Sequence, residues 1–224
     1  MSGERTAVVL AAAYRCFTRH GIRRTTMDDI AAEAGMSRAA VYQYVRSKDD
    51  AFARLAQAMF DASLAQARHA AARPAGPAGV AGRLHAVLAA KLELVLGLWR
   101  DSPHHAGELL GESARVSAAQ EAAYQAGLRD LLAGLVRAAR AAGELPRGGP
   151  PATAVADVAL AFTRGLEADP TAPDAARTLL RQGVRLLAAG LRGAAPAGSP
   201  AASAHPPAQP SAPSAPAQPS RRSP

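Results

Sequence analysis

The 224-residue chain reads as an all-α protein, and three observations carry that reading. Alanine and leucine, both strong helix formers, supply much of its apolar content, while β-branched and aromatic residues are few. Apolar positions recur at helical spacing from the first residues to about position 192. Clusters of glycine and proline cut that pattern into segments of helical length. A chain of this size holds one or two domains with a real core.

The first helix is expected from about Gly3 to His20, with Val9, Ala13, Cys16 and Phe17 turned inward and Gly21 closing it. Thr26 is a good N-cap for the next, and Asp29 completes an imperfect capping box, with Asp where Glu or Gln is usual. Ile30, Ala31 and Ala34 share one face of that helix. Gly35 ends it, Ser37 caps a third helix, and Val41 is the third helix's apolar contact. Helix, tight turn and helix in this order form a helix-turn-helix, whose second helix is free to enter a DNA major groove.

Lys48 opens a long helix to about Ala72, with Phe52, Leu55, Met59 and Phe60 on its apolar side, and the Pro–Gly stretch 73–79 breaks it. A helix from Val80 to Arg100 is apolar over a wide arc, which places it centrally in its domain. His104 to Val116 reads as a shorter helix. Ser117 is expected to cap a further one, which runs to Gly143. Two last helices, 152–168 and 174–192, carry the stripes Val155, Val158, Phe162, Leu166 and Leu179, Leu180, Leu187, Leu191. Gly165, Gly183 and Gly190 lie within or beside those stripes. A mid-helix glycine costs about 1 kcal/mol against alanine, so close helix approach is a motive for keeping them. From Gly193 onward the chain is mostly Ala, Pro and Ser, a composition that does not recover its ordering entropy and predicts disorder.

The stretch Thr25 to Lys48 resembles the DNA-binding segment of the tetracycline-repressor (TetR) family of transcription regulators. The likeness runs from Phe17 and Gly21 through Thr25–Thr26, Ile30–Ala31, Ala34–Gly35, Ser37, Tyr42, Tyr44 and Ser47–Lys48. Val45 stands where the family usually has Phe, and Ala39 where Gly is common; both keep the character of the position. The resemblance implies an N-terminal three-helix DNA-binding domain over 3–63, with its motif at about 26–45. It also implies a helical ligand-binding and dimerisation domain over 64–192, followed by the tail 193–224. It implies base reading by Arg38, Ala39, Ala40 and Gln43, and phosphate contacts by Thr26, Ser37, Tyr42, Tyr44 and Lys48. Arginine matches guanine O6 and N7, and alanine a thymine methyl. It further implies a homodimer built on the last helix pair, through Val155, Phe162, Leu166, Leu179, Gly183, Leu187 and Gly190. The implied partners are a double-stranded DNA operator and a small, largely apolar effector that releases it. Trp99, His104, Tyr124 and Phe162 are candidate walls for the effector pocket.

Charge permits this reading without requiring it. The net charge is +8 and Arg outnumbers Lys 24 to 2, which suits bidentate phosphate contact but equally an RNA or membrane surface. One cysteine, Cys16, excludes an internal disulfide and a Cys-rich zinc site, and its spacing makes it a core thiol. His104, His105 and Glu108 have metal-ligand spacing, but only two of them could share one helical face and a third protein ligand is missing nearby, though Glu112 is one turn on, so no metal or cofactor is expected. No nucleophile–base set or phosphate loop is present for an enzyme. A non-specific architectural DNA binder has no use for so large a second domain. No apolar run is long enough to span a membrane, and the run AVVLAAAY reads as helix rather than signal peptide, so the expected place is the cytoplasm. Cutting the chain after Arg192 should leave melting temperature and oligomeric state unchanged. A loss of several degrees in a thermal scan would show that the tail packs on the body.

Overall fold

The computed structural model describes residues 2–74, 76–168 and 172–193. Among these, nine helices follow in order: α1 (Ser2–His20), α2 (Met27–Ala34), α3 (Arg38–Val41), α4 (Lys48–Ala72), α5 (Gly79–Asp101), α6 (Ala106–Val116), α7 (Ala118–Ala141), α8 (Ala152–Glu167) and α9 (Pro173–Gly193). The expected tail, from residue 194, lies outside the described residues, as does the break at 169–171.

Capping residues set the ends of the short helices. Thr26 is extended, its Oγ1 accepts from Asp29 N at 3.2 Å, and Asp29 Oδ2 accepts from Thr26 N at 2.8 Å. The capping box therefore closes with Asp in place of Glu. Gly35 takes a left-handed conformation (φ 64°) that an L side chain would strain, and the chain turns there into Ser37. Ser37 Oγ accepts from Ala40 N at 3.2 Å. The third helix is shorter than the sequence suggests: it is α-helical only over Arg38–Val41. Turns continue it, with Tyr44 N and Val45 N both donating to Val41 O. Ser47 caps α4 through Asp50 N, and Asp50 returns the bond to Arg46 N at 2.8 Å.

Two apolar clusters form. The head cluster joins Phe17 of α1, Ile30 of α2, Val41 and Val45 beside α3, and Phe52 of α4, with Phe17 and Phe52 edge to face at 5.8 Å between ring centres. Cys16 lies inside it, and burial pushes its thiol pKa up, so it is a core thiol as the spacing indicates. The body cluster is built on Leu84, Leu88 and Leu92 of α5, Leu128 and Leu132 of α7, Leu160 of α8 and Leu180 of α9. α5 is central, packing against α4, α7, α8 and α9. At the crossing of α4 and α7, a Cβ on Gly127 would stand 2.8 Å from Leu64 Cδ2, so this glycine sets the approach.

Two boundaries differ from the sequence reading. α6 starts at Ala106, not His104, because Ser102 O accepts from Ala106 N at 2.8 Å and residues 103–105 form the preceding turn. Ser117 precedes α7, yet its hydroxyl makes no cap; the oxygen is buried without a partner among the described residues.

Leu128 is fully buried in the body cluster. Leu128→Ala should cost about 2–5 kcal/mol in urea unfolding of the full chain, from lost transfer energy and the cavity left behind. A change within 0.5 kcal/mol, roughly the level of a neutral surface substitution, would place Leu128 outside the core.

Candidate functional site

The outer edge of the helix-turn-helix is anchored from beneath by Val41 and Val45, both buried, which leaves the opposite side of α3 clear. Ser37, Arg38, Ala39, Tyr42 and Gln43 are exposed, and Ala40 and Tyr44 half-buried. Arg38 is already partnered: Nη1 donates to Asp28 Oδ2 at 2.8 Å, and the guanidinium lies 5.7 Å from the Tyr42 ring centre. Thr26 is exposed but its side chain is spent on the capping box. The hydrogen bonds from the Thr26 hydroxyl and then its backbone N–H hold the Asp29 carboxyl below the usual range.

Lys48 differs from the sequence expectation. Its Nζ turns inward and donates to Ile22 O at 3.0 Å, Arg23 O at 3.3 Å and Thr25 O at 3.4 Å, so all three of its donors have carbonyl partners in the loop between α1 and α2. In this conformation its ammonium is engaged with that loop. The sequence reading passes over Arg24 and Arg46. Both are exposed, on either side of the motif, and neither forms an ion pair among the described residues. Their signal was available: basic residues immediately before the Thr25–Thr26 cap and before Ser47.

The head rests on the end of α5 and on α6. Leu109 of α6 belongs to the head cluster. Ser102 Oγ donates to Thr18 O at 2.7 Å, Tyr14 OH to Asp101 Oδ2 at 2.8 Å, and Arg23 N to Glu108 Oε1 at 2.8 Å. Burial and then the Asp101 bond push the Tyr14 pKa to about 12. Gly21 (φ 76°) makes room for this contact, since a Cβ there would stand 2.6 Å from Glu108 Oε2. His105 Nδ1 lies 3.9 Å from the same carboxylate, and His104 is exposed. Glu108 thus holds the head, and among the described residues no three His, Cys, Asp or Glu side chains are grouped to hold a metal.

A cavity of about 240 Å³ lies behind this joint, walled by α1, α4, α5, α6, α7 and the end of α8. Tyr14, Phe17, Phe52, Phe60, Leu98, Leu109 and Tyr124 supply apolar wall, and Lys91, Glu121, Gln125 and Glu167 polar groups. Of the four side chains expected to wall a pocket, Tyr124 lines this cavity: it stacks on Phe60 at 5.0 Å, and its hydroxyl is 2.8 Å from Ser63 Oγ. Burial pushes its pKa to about 12. The other three expected walls lie elsewhere. Trp99 sits by Gly107 with its indole N–H buried and unpartnered among the described residues, His104 is exposed, and Phe162 lies over α9.

The last helix pair leaves an apolar face uncovered. Val158 is 58% exposed and Leu186 74%, and Phe162 and Leu179 are also exposed. Of the expected contact residues, Phe162, Leu179 and Gly190 lie at this surface, and Leu166, Gly183 and Leu187 are half-buried. Val155 is not on it; it is buried in the chain's own core. Gly183 lies under the Phe162 ring, which a Cβ would strike, so its close helix approach is met within the chain. Among the described residues, no helix is long and apolar enough to cross a membrane.

Residues 9–55 match the family model described as bacterial regulatory proteins, tetR family. Over 61 residues the chain is 39% identical to the uncharacterized HTH-type transcriptional regulator YfiR of Bacillus subtilis, a match covering 27% of this chain and 30% of that relative. Similar solved structures include a TetR transcription regulator from Haloarcula marismortui (TM-score 0.66, 21% identity, 84% of this chain and 98% of that one). Another is the fatty acid degradation regulator FadR from Bacillus halodurans (TM-score 0.64, 16% identity, 84% and 96%). At these identities the likenesses establish the shared fold. The helix-turn-helix is thus matched in sequence by the tetR-family model over residues 9–55, and the described body is matched in fold by these regulators.

Proposed function

We propose that the protein is a homodimeric repressor that binds a palindromic operator and releases it when a small, largely apolar molecule fills the cavity. The clear outer edge of α3 carries this reading, with Arg38, Ala39, Ala40 and Gln43 toward the base edges. Ser37, Tyr42 and Tyr44 fix orientation on the phosphates, with Thr26 at the helix end and Arg24 and Arg46 as the flanking cations. Lys48 acts one step removed, by holding the loop before α2.

The uncovered face of Val158, Phe162, Leu179 and Leu186 is the reading's contact with a second copy. Two heads then meet half-sites one or more helical turns apart. The cavity touches α1 through Tyr14 and Phe17 and α6 through Leu109, so a ligand there acts on the helices that hold the head.

Two experiments test these assignments. On an operator selected from random DNA, Arg38→Ala should cost about 1–3 kcal/mol and relax preference at one base pair per half-site. Arg46→Ala should weaken all sequences alike and reduce the salt slope by about 1. Fluorescence anisotropy across a salt series reads both, and an Arg38 variant with unaltered affinity and preference would remove α3 from the groove.

For the dimer, Leu186→Glu is a better probe than any change at Gly183, because the Leu186 side chain meets solvent rather than its own chain. The expected result is a folded monomer in light scattering, with unchanged helical circular dichroism and much weaker operator binding. A variant that remains dimeric would put the interface on another face.

A further inference from the structure

The reading of the cavity as the effector site leaves open what chemistry it selects, and its polar groups bear on that. They gather from three elements: Lys91 of α5, Glu121, Tyr124 and Gln125 of α7, and Glu167 at the end of α8. Lys91 Nζ donates to Glu167 Oε1 at 2.5 Å, and the two side chains are only 4% and 13% exposed. Glu121 also faces the cavity and has no ion-pair partner among the described residues. Two carboxylates against one ammonium leave one negative charge in the wall.

Counting donors and acceptors gives the same sign. The Tyr14 hydroxyl is donated to Asp101, and the Tyr124 hydroxyl is paired with Ser63. The Lys91 ammonium gives one of its three donors to Glu167. Gln125 Oε1, in contrast, is buried with no hydrogen-bond partner among the described residues. Ser113 adds one hydroxyl that can donate or accept. Gln125 Oε1 is therefore a wall acceptor that lacks a donor, and a buried unpaired acceptor costs free energy until something satisfies it.

We propose, resting on the effector-site reading, that the cavity takes a small amphipathic cation: an alkyl or aryl body against Phe17, Phe52 and Phe60, and a protonated nitrogen at Glu121 and Glu167. Such a nitrogen neutralises the surplus charge, and the aromatic faces of Tyr124 and Phe60 are favourable neighbours for a cation. An anion would have to share Lys91 with Glu167 and lie beside two carboxylates, Glu167 and Glu121. A neutral ligand would leave the surplus carboxylate charge without a counter-ion. Burial raises the Glu167 pKa, Lys91 and then Arg164 oppose that rise, and Glu121 adds to it.

The test uses three probes with one body: octylamine (protonated at neutral pH), octanol and octanoate, titrated calorimetrically into the full chain. Octylamine should bind about tenfold or more tighter than octanol, with octanoate weakest. Glu121→Gln should lose about tenfold for octylamine and nothing for octanol, and circular dichroism should show an intact fold. Octanoate binding tightest, equal binding of all three, or no binding of the amine overturns the proposal; so does an amine preference that survives in a folded Glu121→Gln variant. The ranking in the unaltered protein decides the charge class by itself should the variant not fold. Operator binding is measured without probe in parallel. If the operator is bound and the ranking fails, only this inference falls. If the ranking holds and no operator is selected from random DNA, the regulator reading falls and the cation site stands.

Discussion

A loop's carbonyl and N–H groups, buried under other elements, must find partners or destabilise the fold. The stretch from Gly21 to Thr25 meets that requirement from two directions. The first residue of α4, Lys48, takes three of its carbonyls, and Glu108 of α6 accepts the Arg23 N–H. This loop joins α1 to the helix-turn-helix, so its geometry determines how α2 and α3 lie on the head cluster. The same few bonds tie the presentation of α3 to the position of α6, which is also a wall of the cavity. The loop before the motif and one wall of the cavity are thereby joined by short, identifiable contacts, where a two-domain protein joined by a linker would have none.

The cavity and the joint share walls. Phe17 and Phe52 close the head cluster on one side and face the cavity on the other, and Leu109 does the same from α6. Filling the cavity therefore presses on side chains already packed in the head, and tightly packed interiors transmit such displacement rather than absorb it. The Lys91–Glu167 pair lies away from this contact, on α5 and α8. A ligand that spans both reaches from the body's polar end to the helices under the motif.

The helices were largely legible in the sequence because their signals are local. Thr26, Gly35 and Ser37 act within a turn of where they stand, and the Ala–Leu periodicity and Pro–Gly breaks set the rest. Direction was less legible. Lys48 in a pattern of helix start and positive charge reads as a phosphate donor; only the tertiary position of the Ile22–Thr25 carbonyls turns it inward. The last two helices carry apolar residues on more than one face, so spacing alone could not separate Val155 and Leu180, which belong to the core, from Val158 and Leu186, which meet solvent. The cavity was the least legible feature, since its walls come from six helices and only Tyr124 among the expected residues lies in it.

The resemblance implies a domain border near residue 63, but the packing does not divide there. α4 is unbroken across that point, with Phe52 in one cluster and Ala67 in the other, and Leu109 reaches into the head from far along the chain. A fragment ending at residue 63 would lose Leu109, the Glu108 and Ser102 bonds, and the far third of α4, and would bare the Phe17–Phe52 pair to water. The motif is therefore not a portable cassette. A fragment meant to keep the motif folded as it is here would have to carry α6 and the end of α5 along with it.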